Sequence, residues 1–196
     1  MKNIRTASLL LGVAILPLLQ GCLPMVAAGA TGGALVAVDR RTLGTQTEDE
    51  AIEWKAASRV SEKLGDKVHA NYTSYNRKVL ISGEVFNEEM KKDVERIVVA
   101  VPQVQGVYNE LAIAPISSFS ARSNDSYITT KVKSRLLDTT SLKAVHTKVV
   151  TEAGVVYLLG LVTQREADAI VQVARTTSDV KKVVTLLEIV PETKVK

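Results

Sequence analysis

The chain has one cysteine, one tryptophan and two histidines in 196 residues, and its aromatic content is 4%. A single cysteine excludes an internal disulfide framework. Metal sites usually gather three or four His, Cys or carboxylate ligands at short spacing, and neither HExxH nor CxxC occurs. There is no GxSxG elbow and no glycine-rich phosphate loop ending in Lys-Ser/Thr. These absences predict a protein with no catalytic residues, no metal, no cofactor and no small-molecule substrate. Nucleic acid is excluded as a partner because the net charge of +4 comes without a sustained basic stripe or stacking aromatics. Apolar runs are short as well: Leu9 to Leu19 and residues 23–38 both fall below the roughly 20 residues of an ordinary membrane span.

Lys2 and Arg5 ahead of the first apolar run give the layout of a secretory signal peptide, expected over residues 1–21. Leu19-Gln20-Gly21-Cys22 resembles the bacterial lipobox, whose cysteine receives a diacylglyceryl thioether and an N-acyl chain. The resemblance implies lipidation of Cys22, with a plain signal peptide and a free cysteine as the alternative. An unpaired thiol in an oxidising compartment is a liability that acylation removes. Each buried methylene contributes about 0.8 kcal/mol, so two or more chains anchor stably. Leu23 stands where an aspartate would imply retention at the inner membrane, so the resemblance points to the periplasmic face of the outer membrane. Residues 22–46 are expected to form a lipidated tether. Within it, residues 23–38 are rich in Ala and Gly and carry a GxxxG spacing at Gly29 and Gly33, which fits a segment at the bilayer surface or a short span. Arg40-Arg41 then marks the return to water.

The remainder is one unit written twice. His69 falls on His146, Gly83 on Gly160 and Val85 on Val162 at an offset of 77 residues. At an offset of 76, Ile52, Lys55, Arg59 and Val60 fall on Ile128, Lys131, Arg135 and Leu136, and Val104, Val107, Leu111 and Ile113 on Val180, Val183, Leu187 and Ile189. Each copy reads as a helix beginning after a capping stretch, Thr47-Glu48-Asp49 or Ser123-Asn124-Asp125. Two strands follow, Val68 to Ser74 with Lys78 to Val85, and Val145 to Thr151 with Val155 to Val162. The turns between them are Tyr75-Asn76-Arg77 and Glu152-Ala153-Gly154. A second helix, Asn87 to Val99 or Gln164 to Thr176, and a last strand, Gln105 to Ala114 or Lys181 to Val190, complete the order αββαβ. Gly83 and Gly160 read as structural strand glycines that allow close packing. The two histidines, at matching strand starts, read as products of the duplication.

This order, with the glycine in the second strand and the ending Val104-Gln105-Gly106-Val107, resembles the BON domain. Two such units behind a lipobox, with Gly44-Thr45-Gln46 closing the tether, are similar to the dual BON-domain outer-membrane lipoproteins. The expected fold class is α+β: two tandem BON-like domains, each with a three-stranded mixed sheet packed on two helices. The expected boundaries are 47–115 for the first domain, 116–122 for a linker and 123–191 for the second.

The two copies differ where function should lie. From Thr47 to Pro115 there are 9 basic and 12 acidic residues, a net of −3; from Ala121 to Lys196 there are 12 and 8, a net of +4. On the second copy's opening helix, Ile128, Val132 and Leu136 form the core stripe. Tyr127, Thr130, Ser134 and Leu137 lie opposite, beside Lys131 and Lys133. In the first copy Ala51 and Ser61 stand at the places of Tyr127 and Leu137. An exposed tyrosine and leucine between lysines suit a lipid interface, where the ring and alkyl chain enter the headgroup boundary and the ammonium groups meet phosphates. A solvated helix with scattered apolar residues is the alternative. The family resemblance implies binding of anionic phospholipid through this helix, and a role in envelope integrity and division. The competing class is an adaptor for envelope proteins, such as cell-wall hydrolase regulators or outer-membrane assembly machinery. Trp54, aligned with Thr130, is expected to pack against the other domain or the linker, with a partner protein as the alternative.

Overall fold

The computed structural model describes residues 39–139 and 147–192. The signal peptide, Cys22, most of the tether and His146 lie outside the described residues. The element order is α1 (Leu43–Leu64), β1 (Val68–Tyr75), β2 (Lys78–Val85), α2 (Glu88–Val99), β3 (Gly106–Asn109), β4 (Ala112–Ile113), α3 (Phe119–Asp138), β5 (Thr147–Glu152), β6 (Val155–Val162), α4 (Gln164–Arg175) and β7 (Lys182–Ile189). This is the expected αββαβ, twice. In each copy the first two strands pair antiparallel and the last runs parallel to the middle one. Register repeats too: Val79 pairs with Val107 as Val156 pairs with Val183.

Both opening helices begin four residues before the expected caps. Thr42 and Ser118 are the true N-caps, accepting from the backbone N–H of Thr45 and Ala121. Helix α3 therefore takes in part of the stretch expected to be linker. The acids that resembled caps do something else. Asp49 is buried and accepts from the backbone N–H groups of Asn76 and Arg77 at 2.8 and 2.7 Å. Asp125 repeats this with Ala153 and Gly154, at 2.9 and 2.8 Å. Those two-residue turns hold positive φ at both positions, 51° and 63° in the first copy, 52° and 81° in the second. Such hairpin turns match the strand twist but aim their N–H groups inward, and the buried carboxylates satisfy them.

The last strand of the first copy was expected to run unbroken. It splits at Glu110-Leu111, where Leu111 turns into the core. Lys91 donates to the freed Leu111 carbonyl at 2.7 Å, and Asn109 donates to the Lys91 carbonyl at 3.0 Å.

Each copy closes its own core between helices and sheet: Ile52, Ala56, Val60, Val79, Ile81 and Val94 in the first, Ile128, Val132, Leu136, Val156, Leu158 and Ile170 in the second. Alternate strand residues point the other way. There Tyr75 and Leu80 meet Tyr157 and Leu159, so a third core joins the two sheets. Polar contacts edge this seam. Lys148 reaches Glu53 at 2.6 Å, Lys78 reaches Glu188 at 2.8 Å, and Asn71 donates to Glu152 at 3.1 Å. Burial pushes the Glu152 carboxyl up, against the lowering effect of Asn71. The two copies thus belong to one compact unit, Val38–Lys196, which contains all three cores.

Arg40 and Arg41, expected at the return to water, are fastened to the fold. Arg40 donates to the Leu161 carbonyl at 2.7 Å and to both Glu166 oxygens at 2.7 and 2.9 Å, in the second copy. Arg41 binds Asp49 of the first copy at 2.8 Å and stacks 3.9 Å from the Tyr75 ring centroid. Burial alone would push the Glu166 carboxyl up, but the bonds from Arg40 and the Thr163 backbone outweigh it and bring the pKa down to about 2. A carboxyl with a lowered folded pKa contributes stability above its unfolded value and loses it as pH falls through the folded one. Arg40→Ala is therefore expected to destabilise the protein by about 1–3 kcal/mol at pH 7. The gap to wild type should shrink between about pH 4.5 and 2, and chemical denaturation at pH 7 and pH 2.5 checks it. A gap of equal size at both would remove the ion pair as its cause.

Candidate lipid-facing helix

Helix α3 presents its core stripe, Ile128, Val132 and Leu136, inward together with Asp125. On the outward side Tyr127 is 61% exposed and Leu137 68%. Thr130, Lys133 and Ser134 are exposed on the same side. Phe119, at 80% exposure, belongs with them. It lies 18 residues before Leu137, five helical turns and about 27 Å along the axis, hence at nearly the same angle. Sequence reasoning missed Phe119 by placing it in the linker. The 3.6-residue period carried backward from Leu137 is the signal that finds it.

Lys131 does not stand free beside Tyr127. Its Nζ lies 4.8 Å from the Tyr127 ring centroid, a cation–π distance one turn along the helix. It also pairs with Asp179 and donates to Ser178, to the carbonyl at 3.0 Å and to the hydroxyl at 2.9 Å. The ammonium is thus shared between an aromatic face and the turn before β7. Lys131 in turn holds the exposed Asp179 carboxyl below its usual range. Asp179 adopts φ 69°, unusual for a residue with a side chain. Arg135, one turn on, donates from Nη1 to the Thr177 hydroxyl at 2.7 Å and the Val173 carbonyl at 3.1 Å, and from Nη2 to the Thr176 hydroxyl at 3.1 Å. Lys131, Ser134, Arg135 and Thr176, Thr177 and Ser178 line a groove of about 460 Å³ beside the exposed face. Sequence reasoning found Lys131 and Ser134 but not the opposite wall, because nothing local links α3 to a turn some 40 residues later.

Trp54 departs from expectation. It is 71% exposed on α1 rather than buried against the other copy or the linker. Leu43 is exposed eleven residues earlier, three turns away on the same face. His69 links strand to helix: its Nδ1 lies 2.7 Å from Glu84, and Arg122 of α3 approaches its Nε2 at 3.0 Å. Among the described residues no group of three or more His, Cys, Asp or Glu is placed to hold a metal ion. No described helix is long and apolar enough to cross a membrane.

The chain matches the BON domain over residues 51–115 and again over 124–191. It is 40% identical over 186 residues to the outer membrane lipoprotein DolP of Haemophilus influenzae, covering 94% of this chain and 95% of that protein. It is 34% identical over 155 residues to a 21 kDa hemolysin of Actinobacillus pleuropneumoniae, covering 78% and 80%. Among solved structures, the C-terminal domain of CdsD, a structural protein of the type III secretion system of Chlamydia trachomatis, overlaps 68% of this chain and 96% of its own at 12% identity, with a TM-score of 0.31.

Proposed function

The chain belongs to the BON-domain family and carries two copies of its domain, and on that premise we propose an outer-membrane lipoprotein, anchored through Cys22 on the periplasmic face, whose second copy rests α3 on anionic phospholipid. The domains are read as 47–115 and 123–191, with each opening helix reaching four residues further upstream, to Leu43 and Phe119. The single observation that carries the lipid reading is the exposed pair Tyr127 and Leu137, which replaces the small Ala51 and Ser61 of the first copy on an otherwise equivalent helix. Phe119 extends the apolar contact, and Lys131 and Lys133 supply the cations. Thr130 and Ser134 between them offer hydroxyls at headgroup depth. Held there by both the acyl anchor and α3, the protein contributes to envelope integrity, including at the division site. It works as a binding protein rather than an enzyme, in keeping with relatives named as a lipoprotein and a hemolysin.

A second reading, an adaptor for envelope proteins, is favoured by Trp54. Its face carries Leu43 and the acidic Glu50 in a domain of net charge −3, a composition that suits a protein surface better than an anionic bilayer. Cosedimentation of the compact unit, residues 38–196, with phosphatidylglycerol and with phosphatidylcholine vesicles separates the two. The lipid reading expects binding to the first and little to the second. Equal indifference to both leaves the adaptor.

A further inference from the structure

The groove beside Lys131 and Arg135 differs between the copies in a way that points to a class of ligand. The first copy keeps both cations of the scaffold, Lys55 and Arg59, at the places of Lys131 and Arg135. Its turn, however, reads Ala100-Val101-Pro102-Gln103 where the second reads Thr176-Thr177-Ser178-Asp179. A pocket on the far side of Arg59 mixes Glu62 and Asp93 with Lys63 and Arg96. The groove beside Arg135 is walled by hydroxyls, with no acid in its lining. The same framework thus sets its two cations against a turn without hydroxyls in the first copy and against a hydroxyl-lined groove in the second.

The donors are accounted for one by one. Thr176 and Thr177 give their own protons to the carbonyls of Gln172 and Val173 at 2.8 Å each and accept from Arg135, so they hold the guanidinium in place. With the Val173 carbonyl they take three of its five N–H donors, which leaves two for a ligand. The Ser178 hydroxyl accepts from Lys131 and donates to the Asp179 carboxylate, a bond a phosphate would take over when Asp179 leaves, and Ser134 adds another hydroxyl to the same wall. The one anion already present is Asp179, which reaches over from the rim to pair with Lys131; its φ of 69° matches the 74° of its counterpart Gln103 and belongs to the shared turn.

We propose that this groove binds a phosphate ester between Lys131, Arg135, Ser134 and Ser178, and that Asp179 occupies the Lys131 ammonium until the phosphate displaces it. The inference rests on the lipid reading for its physiological ligand, a phospholipid headgroup. Tyr127 and Leu137 set the depth, and the groove at their side takes the phosphate that arrives with the acyl chains. Asp179 makes docking conditional, since a surface with few phosphates does not release Lys131.

The test uses residues 38–196 with phosphatidylglycerol vesicles, and with glycerol 3-phosphate and inorganic phosphate as soluble probes. Asp179→Asn is expected to tighten vesicle binding about fivefold or more, a gain that misfolding does not produce. Asp168→Asn, which removes an exposed acid on α4 away from the groove, is the control for overall charge and should change binding less than twofold. In NMR titrations, both soluble probes should shift the amides of Ser178 and Asp179 at millimolar concentration, and Asp179→Asn should sharpen the response. Equal tightening by the two Asn variants, with no shifts at the groove, overturns the site while leaving lipid docking through Tyr127 and Leu137 intact. If the wild type ignores vesicles but the soluble probes still shift the groove, the site stands as one for a free phosphate ester and the lipid reading fails. Silence in both arms removes both.

Discussion

Gly83→Ala is expected to destabilise the first copy by several kcal/mol, and Gly83→Glu to prevent its folding. Gly83 sits in β2 opposite Ala70 with φ 119°, a conformation that side chains rarely adopt. A Cβ built there lies 2.1 Å from the His69 carbonyl oxygen and 3.2 Å from the Ala70 Cα. Those neighbours are backbone, held by the β1–β2 ladder, so they yield only if the hairpin shifts. Strain of about 1–3 kcal/mol for the backbone conformation adds to the clash. The sum is a large part of the roughly 5–15 kcal/mol of a typical domain. Glutamate adds an unpaired charge in a buried strand, with a further cost of several kcal/mol. Because Leu80 of the same strand packs against Tyr157 and Leu159 across the seam, the loss should reach the second copy as well. Thermal melting followed by circular dichroism reads both. A Gly83→Ala midpoint within a degree of wild type would show that β1 gives way freely. Gly160→Glu, in the buried middle of β6 against Thr147 and Leu187, should be destabilising through its charge.

Much of this architecture is legible before any coordinates. The 76- and 77-residue offsets set the duplication, and β2 and β6 fall on the residues that alternation and turn chemistry mark. What misled were residues whose local meaning and tertiary meaning compete. Asp49 and Asp125 have the spacing of helix caps, and only the folded hairpin shows that their carboxylates face two turn N–H groups apiece. The seam between the copies does leave a trace in the sequence. In β6, Val155-Val156-Tyr157-Leu158-Leu159 is apolar on both faces, which is the mark of a strand covered on both sides. The helices account for one face and the other sheet for the second. The Lys131 and Asp179 pair left no trace, because two residues 48 apart are joined only by the packing of α3 on the loop after α4.

Trp54 shows the same competition from the other side. A lone tryptophan is a large apolar residue, and burial is the ordinary outcome for its ring. Here α1 already offers Ile52, Ala56 and Val60 to the core, so Trp54, two residues from Ile52, has to face away. The two opening helices therefore divide the surface chemistry: an aromatic beside an acid on α1, aromatics and a leucine beside lysines on α3.

That division gives the sharpest result to expect from the proposed function. Leu137→Glu should nearly abolish binding of residues 38–196 to phosphatidylglycerol vesicles, whereas Ser61→Glu, at the equivalent place on α1, should leave it unchanged. Full burial of a leucine side chain is worth about 1.5–3 kcal/mol, and partial insertion recovers a fraction of that. Glutamate cancels this fraction and adds repulsion from the anionic surface, on the order of 1 kcal/mol per charge near it. Two losses compound at one residue. Leu137 is already 68% exposed, so its replacement leaves the core of Ile128, Val132 and Leu136 untouched and the fold intact. Tyr127→Ala should weaken binding clearly, since it removes both the inserted ring and the face that steadies Lys131. Lys133→Ala should matter mainly at low salt, where a single exposed charge is least screened. Cosedimentation across salt concentrations orders the variants. A loss for Ser61→Glu equal to that for Leu137→Glu would move the contact to the first copy, and with it the function from lipid to the face that Trp54 presents.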